Sequence, residues 1–101
     1  MTTELQLSQI VEDILVDRPN GEATIAALIH EIPNRINLTQ ADYLGSVTRP
    51  NEAIWEQRVR NITSHKGSSR NYIYRGYLEQ IDGGLRITAT GRLHQQARHT
   101  V

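Results

Sequence analysis

Three stretches of this chain space their apolar residues by threes and fours, and one late stretch alternates them by twos. Leu7, Ile10, Val11, Ile14 and Leu15 keep one side of a helix apolar, and Thr3 with Gln6 supplies a capping box at its start. Pro19-Asn20-Gly21 ends that helix, and Gly21 to Ala23 suits a short edge strand. Thr24 then stands where it caps a second helix, in which Ile25, Leu28, Ile29 and Ile32 form a regular stripe until Pro33 stops it. From Asn34 to Pro50 the pattern loosens, but Thr39 and Asp42 predict one capped turn carrying Ala41, Tyr43 and Leu44 towards the core. A third helix is expected from Pro50 or Asn51 to about His65, where Gly67-Ser68-Ser69 breaks the spacing. Asn71 to Arg75 predicts one further helical turn with Gly76 as its left-handed cap. Tyr77 to Asp82 and Leu85 to Thr88 flank Asp82-Gly83-Gly84, a hairpin signal that turns Leu85 and Ile87 inward and Arg86 outward. Thr88 caps a closing helix from Ala89 to about Arg98.

With 101 residues and 38% hydrophobic content, these elements predict a single α+β, mostly helical domain spanning 1–101. Three helices, a hairpin wing and a C-terminal helix are the order of the winged helix-turn-helix, whose third helix enters the major groove of DNA. At about 100° per residue, Trp55, Val59 and Ile62 fall together on the core side of that helix. Gln57, Arg60, Asn61 and Ser64 fall opposite, and arginine, asparagine and glutamine are the side chains that grip guanine and adenine edges in pairs of hydrogen bonds. Arg58 lies beside the apolar stripe, where it packs its stem or pairs with an acid. His65, Lys66, Ser68, Ser69 and Arg70 follow with the charge and hydroxyls that suit phosphates. Arg75 fits either phosphate contact or the end of a helix turn, and Tyr72, Tyr74 and Tyr77 read as core and rim. Arg86 on the wing is expected at the hairpin tip in a minor groove, against the plainer expectation of a cross-strand pair with Glu79.

Charge sharpens this picture, because a formal net charge of +0 conceals two unlike halves. Residues 1–48 hold seven acids and two bases; residues 49–101 hold nine bases and four acids. Ten of the eleven bases are arginine, the cation suited to phosphates and guanine edges, so the second half reads as a contact surface.

The run Trp55-Glu56-Gln57-Arg58-Val59-Arg60-Asn61-Ile62-Thr63-Ser64-His65, then Gly76-Tyr77-Leu78-Glu79, then Gly83-Gly84-Leu85-Arg86-Ile87-Thr88 with Gly91 and Arg92, resembles a known module. It is the winged helix found at the amino termini of Mrr-type restriction endonucleases and beside some HNH nucleases. The resemblance spans Ile54 to Arg92; the first half matches only in helix order. It implies a module that binds duplex DNA and targets a separate nuclease domain or subunit, with methylated DNA among its expected targets. By resemblance Arg58, Arg60, Asn61, Ser64 and His65 are functional, and Trp55, Val59, Gly76, Leu78, Ile87 and Gly91 structural.

Catalysis finds little support in the residues. A metal nuclease needs clustered carboxylates and a nearby lysine, and the lone Lys66 has no acid near it in sequence. With no cysteine there is no thiolate metal site, and His94 and His99 are five apart, on different sides of a helix. His30, beside the second apolar stripe, reads as a half-buried helix histidine. No glycine-rich phosphate loop is present, so the expectation is no enzyme, no metal and no cofactor. No apolar run reaches the roughly 20 residues of a membrane span and no signal peptide leads the chain, which predicts a soluble, cytoplasmic protein without a membrane partner. The competing class is a protein-interaction or homodimerising winged helix that uses the acidic first helix, with Glu4, Glu12, Asp13 and Asp17 on its polar side.

Overall fold

The computed structural model describes residues 1–100; Val101, the last residue of the expected domain, lies outside the described residues. Helix α1 (Glu4–Leu15) begins on a reciprocal cap, the Gln6 amide donating to Thr3 Oγ1 at 3.1 Å and the Thr3 amide to Gln6 Oε1 at 2.8 Å. Asn20 and Gly21, at φ 58 and φ 65, reverse the chain into strand β1 (Glu22–Thr24). Thr24 Oγ1 then accepts the Ala27 amide at 3.0 Å and starts helix α2 (Ile25–Glu31). His30 on α2 is exposed rather than half-buried, because Leu28 and Ile32 take the inward side.

Helix α3 (Ile54–Ser64) starts later than Pro50 or Asn51. Residues 44–53 fold back on themselves first: Gly45 bridges Ala53, the Ser46 amide donates to the Glu52 carbonyl at 2.9 Å, and the Ile54 amide donates to the Leu44 carbonyl at 2.7 Å. Pro50 and Asn51 are the middle of the Arg49–Glu52 turn, where proline's fixed φ serves as well as at a helix start. Past α3, residues 72–76 make the one helical turn expected there, the Arg75 amide donating to the Asn71 carbonyl at 2.9 Å. Asn71 organises them, its Oδ1 accepting from the Ile73 and Tyr74 amides at 2.7 and 3.2 Å while its Nδ2 donates to the Ile62 carbonyl at 2.8 Å. Gly76, at φ 80, takes the left-handed position its glycine suggests.

Strands β2 (Leu78–Ile81) and β3 (Gly84–Ile87) turn at Asp82-Gly83, and helix α4 (Ala89–Arg98) closes the chain on its Thr88 cap. The sheet is antiparallel in the order β1-β3-β2, so β3 is its central strand. Gly84 and Gly91 are required by close approach: a Cβ at the first would overlap the Ala23 carbonyl, and at the second the Tyr77 carbonyl. One core joins Leu7, Val11, Ile14 and Leu15 of α1 to Leu28, Ile32, Trp55, Val59, Ile62, Leu85 and Ile87.

The Thr39–Asp42 turn forms as expected, yet it aims differently. Tyr43 and Leu44 are 57% and 60% exposed, and the side chain that goes inside is Asp42. Its carboxylate accepts from the Thr2 amide (2.7 Å), the Thr2 hydroxyl (2.8 Å), the Thr39 amide (2.8 Å) and the Thr39 hydroxyl (3.1 Å). Turning the acid inward to meet these donors turns its two neighbours outward. Burial pushes the Asp42 carboxyl up, but the hydrogen bonds from Thr2 and Thr39 outweigh it and hold it at about 2 against the ordinary 3.8. A depressed folded pKa stabilises the fold above the unfolded value and is lost as pH falls through the folded one. Stability should therefore decline as pH falls from about 4 to about 2, and Asp42→Asn should flatten that part of the profile. Urea midpoints measured across the acid range test this, and an unchanged profile in the variant would deny Asp42 the role.

Candidate nucleic-acid interface

Helix α3 turns as its periodicity requires. Trp55 is 3% exposed, Val59 and Ile62 are fully enclosed, and Gln57, Arg60, Asn61 and Ser64 lie on the other side. The 44–53 loop covers the first half of that polar side. Ser46 Oγ donates to Gln57 Oε1, and Arg60 brings Nε and Nη2 each to 2.8 Å from Glu52 Oε2. Gln57 and Arg60 are thus engaged within the chain; one turn on, the Ser64 hydroxyl donates back to the Arg60 carbonyl at 3.5 Å, and the Asn61 side chain has no hydrogen bond among the described residues. Arg58 pairs with no acid: its Nη1 donates to the Thr2 carbonyl at 3.2 Å, tying α3 to the chain start.

The segment after α3 divides in the same way. His65 Nδ1 sits 2.8 Å from Glu4 Oε1 and so faces α1, whereas Lys66 Nζ reaches across to Gln80 Oε1 of β2 at 3.1 Å. Ser68, Ser69 and Arg70 are exposed. Arg75 lies exposed over the Tyr77 ring, 5.1 Å from its centroid. Tyr77 stacks in turn on His94 at 3.8 Å, Tyr72 is buried edge-on to both, and Tyr74 is exposed.

Arg86 does not stand at a projecting tip. Because β1 pairs with β3, Arg86 is on the central strand between Glu22 and Glu79, with Nη1 3.2 Å from Glu22 and Nε 2.5 Å from Glu79. The hairpin alone supplies Glu79, the cross-strand pair expected from the sequence, and the third strand brings the second carboxylate, Glu22.

The acidic side of α1 is likewise occupied from within. Glu12 is fully buried and meets His94 Nδ1 at 2.9 Å and Arg98 Nη2 at 2.7 Å. Asp13 meets Arg98, Gln95 and His99 at 2.9, 3.1 and 2.9 Å; burial raises its carboxyl, and the bonds from His99, Gln95 and Arg98 bring it below the ordinary value. His94 and His99 therefore serve one helix together, His99 reaching α1 from the cap just past the end of α4. All four carboxylates that a docking or dimer seam on α1 needs meet partners inside the chain, Glu12 and Asp13 on α4, Glu4 on His65 at 2.8 Å and Asp17 on Arg35 at 3.9 Å.

A cleft of about 290 Å³ opens between α3 and the hairpin. Arg49, Arg60, Thr63, Ser64 and Gln80 line it with Ile25, Ile81, Gly83 and Gly84, and Glu52 holds both arginines, Arg60 at 2.8 Å and Arg49 at 3.9 Å. Lys66 stands at its edge through Gln80. Sequence periodicity picks out Arg60 and Ser64 here but misses Arg49 and Gln80, which reach the cleft through a loop fold-back and a strand pairing. No protein-family model, curated protein or solved structure matches the chain. No helix among the described residues is long and apolar enough to cross a membrane.

Proposed function

We propose that this chain is a winged-helix domain that binds duplex DNA and carries no catalysis of its own. The observation that carries it is the cleft between α3 and the hairpin, with Arg49 and Arg60 on its wall around the single acid Glu52 and Lys66 at its edge, more cations than carboxylates. A phosphate backbone is the partner that such a surface favours, and beside it Asn61 offers an unbonded side-chain amide, and Ser64 an accepting hydroxyl, to base edges. The element order α1-β1-α2-α3-β2-β3 supports a winged helix with α3 as the reading element. The interface is narrower than the sequence alone implies: Arg86, His65 and Arg58 are held by the chain itself, which leaves Lys66, Arg70 and the outer edge of Arg49, shared at 3.9 Å with Glu52, as backbone contacts and the rim of Arg60 with Asn61 and Ser64 for reading. The Mrr-type resemblance adds the role, targeting a restriction-type nuclease to a sequence or a modified base.

About three neutralised phosphates should make log affinity fall against log salt with a slope of roughly −3. Titration of labelled duplex across a salt series checks it, and a flat response at any measurable affinity sinks the proposal. Lys66→Ala or Arg70→Ala should weaken all sequences alike and lessen the slope by about one unit, whereas Asn61→Ala should relax preference at one base pair at a cost of about 1–3 kcal/mol.

A further inference from the structure

We propose that Val47 is a specificity-determining residue that meets the C5-methyl group of a pyrimidine in the major groove. The proposal rests on the duplex-DNA reading above and refines it. The loop carrying Val47 is braced: the Arg49 amide donates to Ser46 Oγ at 3.1 Å, the Glu52 amide to the Arg49 carbonyl at 2.9 Å, and Gly45 bridges Ala53. Ser46 and Glu52 fasten it to Gln57 and Arg60, the two side chains that would otherwise lead the polar side of α3. In their place the loop presents Val47, which is 94% exposed, two residues from Arg49 on the cleft wall.

A valine held there adds nothing to the core. Its neighbours Ser46, Thr48 and Arg49 are polar, so the loop needs no apolar residue for its own sake. An apolar group braced beside Arg49 suits a ligand that offers a methyl group beside a phosphate. On the major-groove edge of duplex DNA that group is the thymine C5-methyl, an established partner of small apolar side chains. 5-Methylcytosine offers the same methyl at the same ring position, so the two bases form separate arms of one experiment.

Duplexes recovered by the protein from a short random pool are resynthesised with uracil for thymine and, separately, with 5-methylcytosine for cytosine. Affinities are measured for the wild type, for Val47→Ser, and for Leu93→Ala as a control on an exposed apolar residue of α4. Removing the thymine methyl at one position is expected to weaken wild-type binding about fourfold, the worth of one buried methyl group. Val47→Ser should bind both versions alike, and Leu93→Ala should discriminate as the wild type does. A gain of similar size on cytosine methylation, absent in Val47→Ser, would support the same contact with 5-methylcytosine as its source. Wild-type binding indifferent to every methyl, or discrimination kept by Val47→Ser, overturns the inference and leaves the DNA reading standing. Recovery of no duplex at all overturns both.

Discussion

Trp55→Ala is expected to destabilise the domain by about 3–5 kcal/mol, a large share of the roughly 5–15 kcal/mol that holds a domain of this size together. Trp55 heads the inward side of α3 and is 3% exposed, so truncation empties a tryptophan-sized volume where α3 enters the core it shares with α1 and α2. Among the described residues its Nε1 has no hydrogen-bond partner, so the loss is chiefly of packing, and no hydrogen bond goes with the ring. That makes a second variant informative: Trp55→Phe keeps most of the apolar volume and should cost far less than Trp55→Ala. Urea unfolding of the two variants checks this, with the wild-type emission blue-shifted and shielded from quenchers. Equal losses for phenylalanine and alanine, or a loss near zero for both, would mean that α3 does not pack by this side.

The core was legible because it obeys period rules that local sequence fully specifies. Trp55, Val59 and Ile62 follow the helical repeat, Leu85 and Ile87 the strand repeat, and the caps at Thr3, Thr24 and Thr88 are the expected hydroxyl residues. What escaped the sequence depended on partners far along the chain. Nothing local tells that Pro50 and Asn51 belong to a loop turned back over α3, or that this loop claims Gln57 and Arg60. The strand of Glu22–Thr24 was legible as an edge, but its pairing with β3 was not, and that pairing moves Arg86 from a tip to a sheet centre. Tyr43 and Leu44 failed for a similar reason, since the four donors from Thr2 and Thr39 draw Asp42 inward and so set the direction of the turn.

The charge asymmetry carried a lesson of the same kind. An acidic half and a basic half read as separate surfaces only if they stay apart, and here the basic α4 lies along the acidic α1. Much of the positive charge is spent inside the fold, which is why the candidate interface shrinks to the end of α3, the loop after it and Arg49.

The arrangement of α4 on α1 carries the second large effect. Glu12 is fully buried and accepts Arg98 Nε at 3.0 Å and Nη2 at 2.7 Å, so Arg98→Met would leave a desolvated carboxylate without its guanidinium. Breaking a buried pair from one side typically costs about 3–5 kcal/mol, because the remaining charge is uncompensated. Here the loss should fall towards the lower figure, since His94 Nδ1 stays 2.9 Å from the same carboxylate. Replacing both partners removes the stranded charge, so Glu12→Leu with Arg98→Met should recover most of what Arg98→Met loses. The measurement is a double-mutant cycle from urea unfolding, and coupling of about 0.5–3 kcal/mol is the range expected of residues in one network. Strictly additive single effects, or an Arg98→Met protein as stable as the wild type, would show that α4 is held by other contacts and that its polar network with α1 contributes nothing.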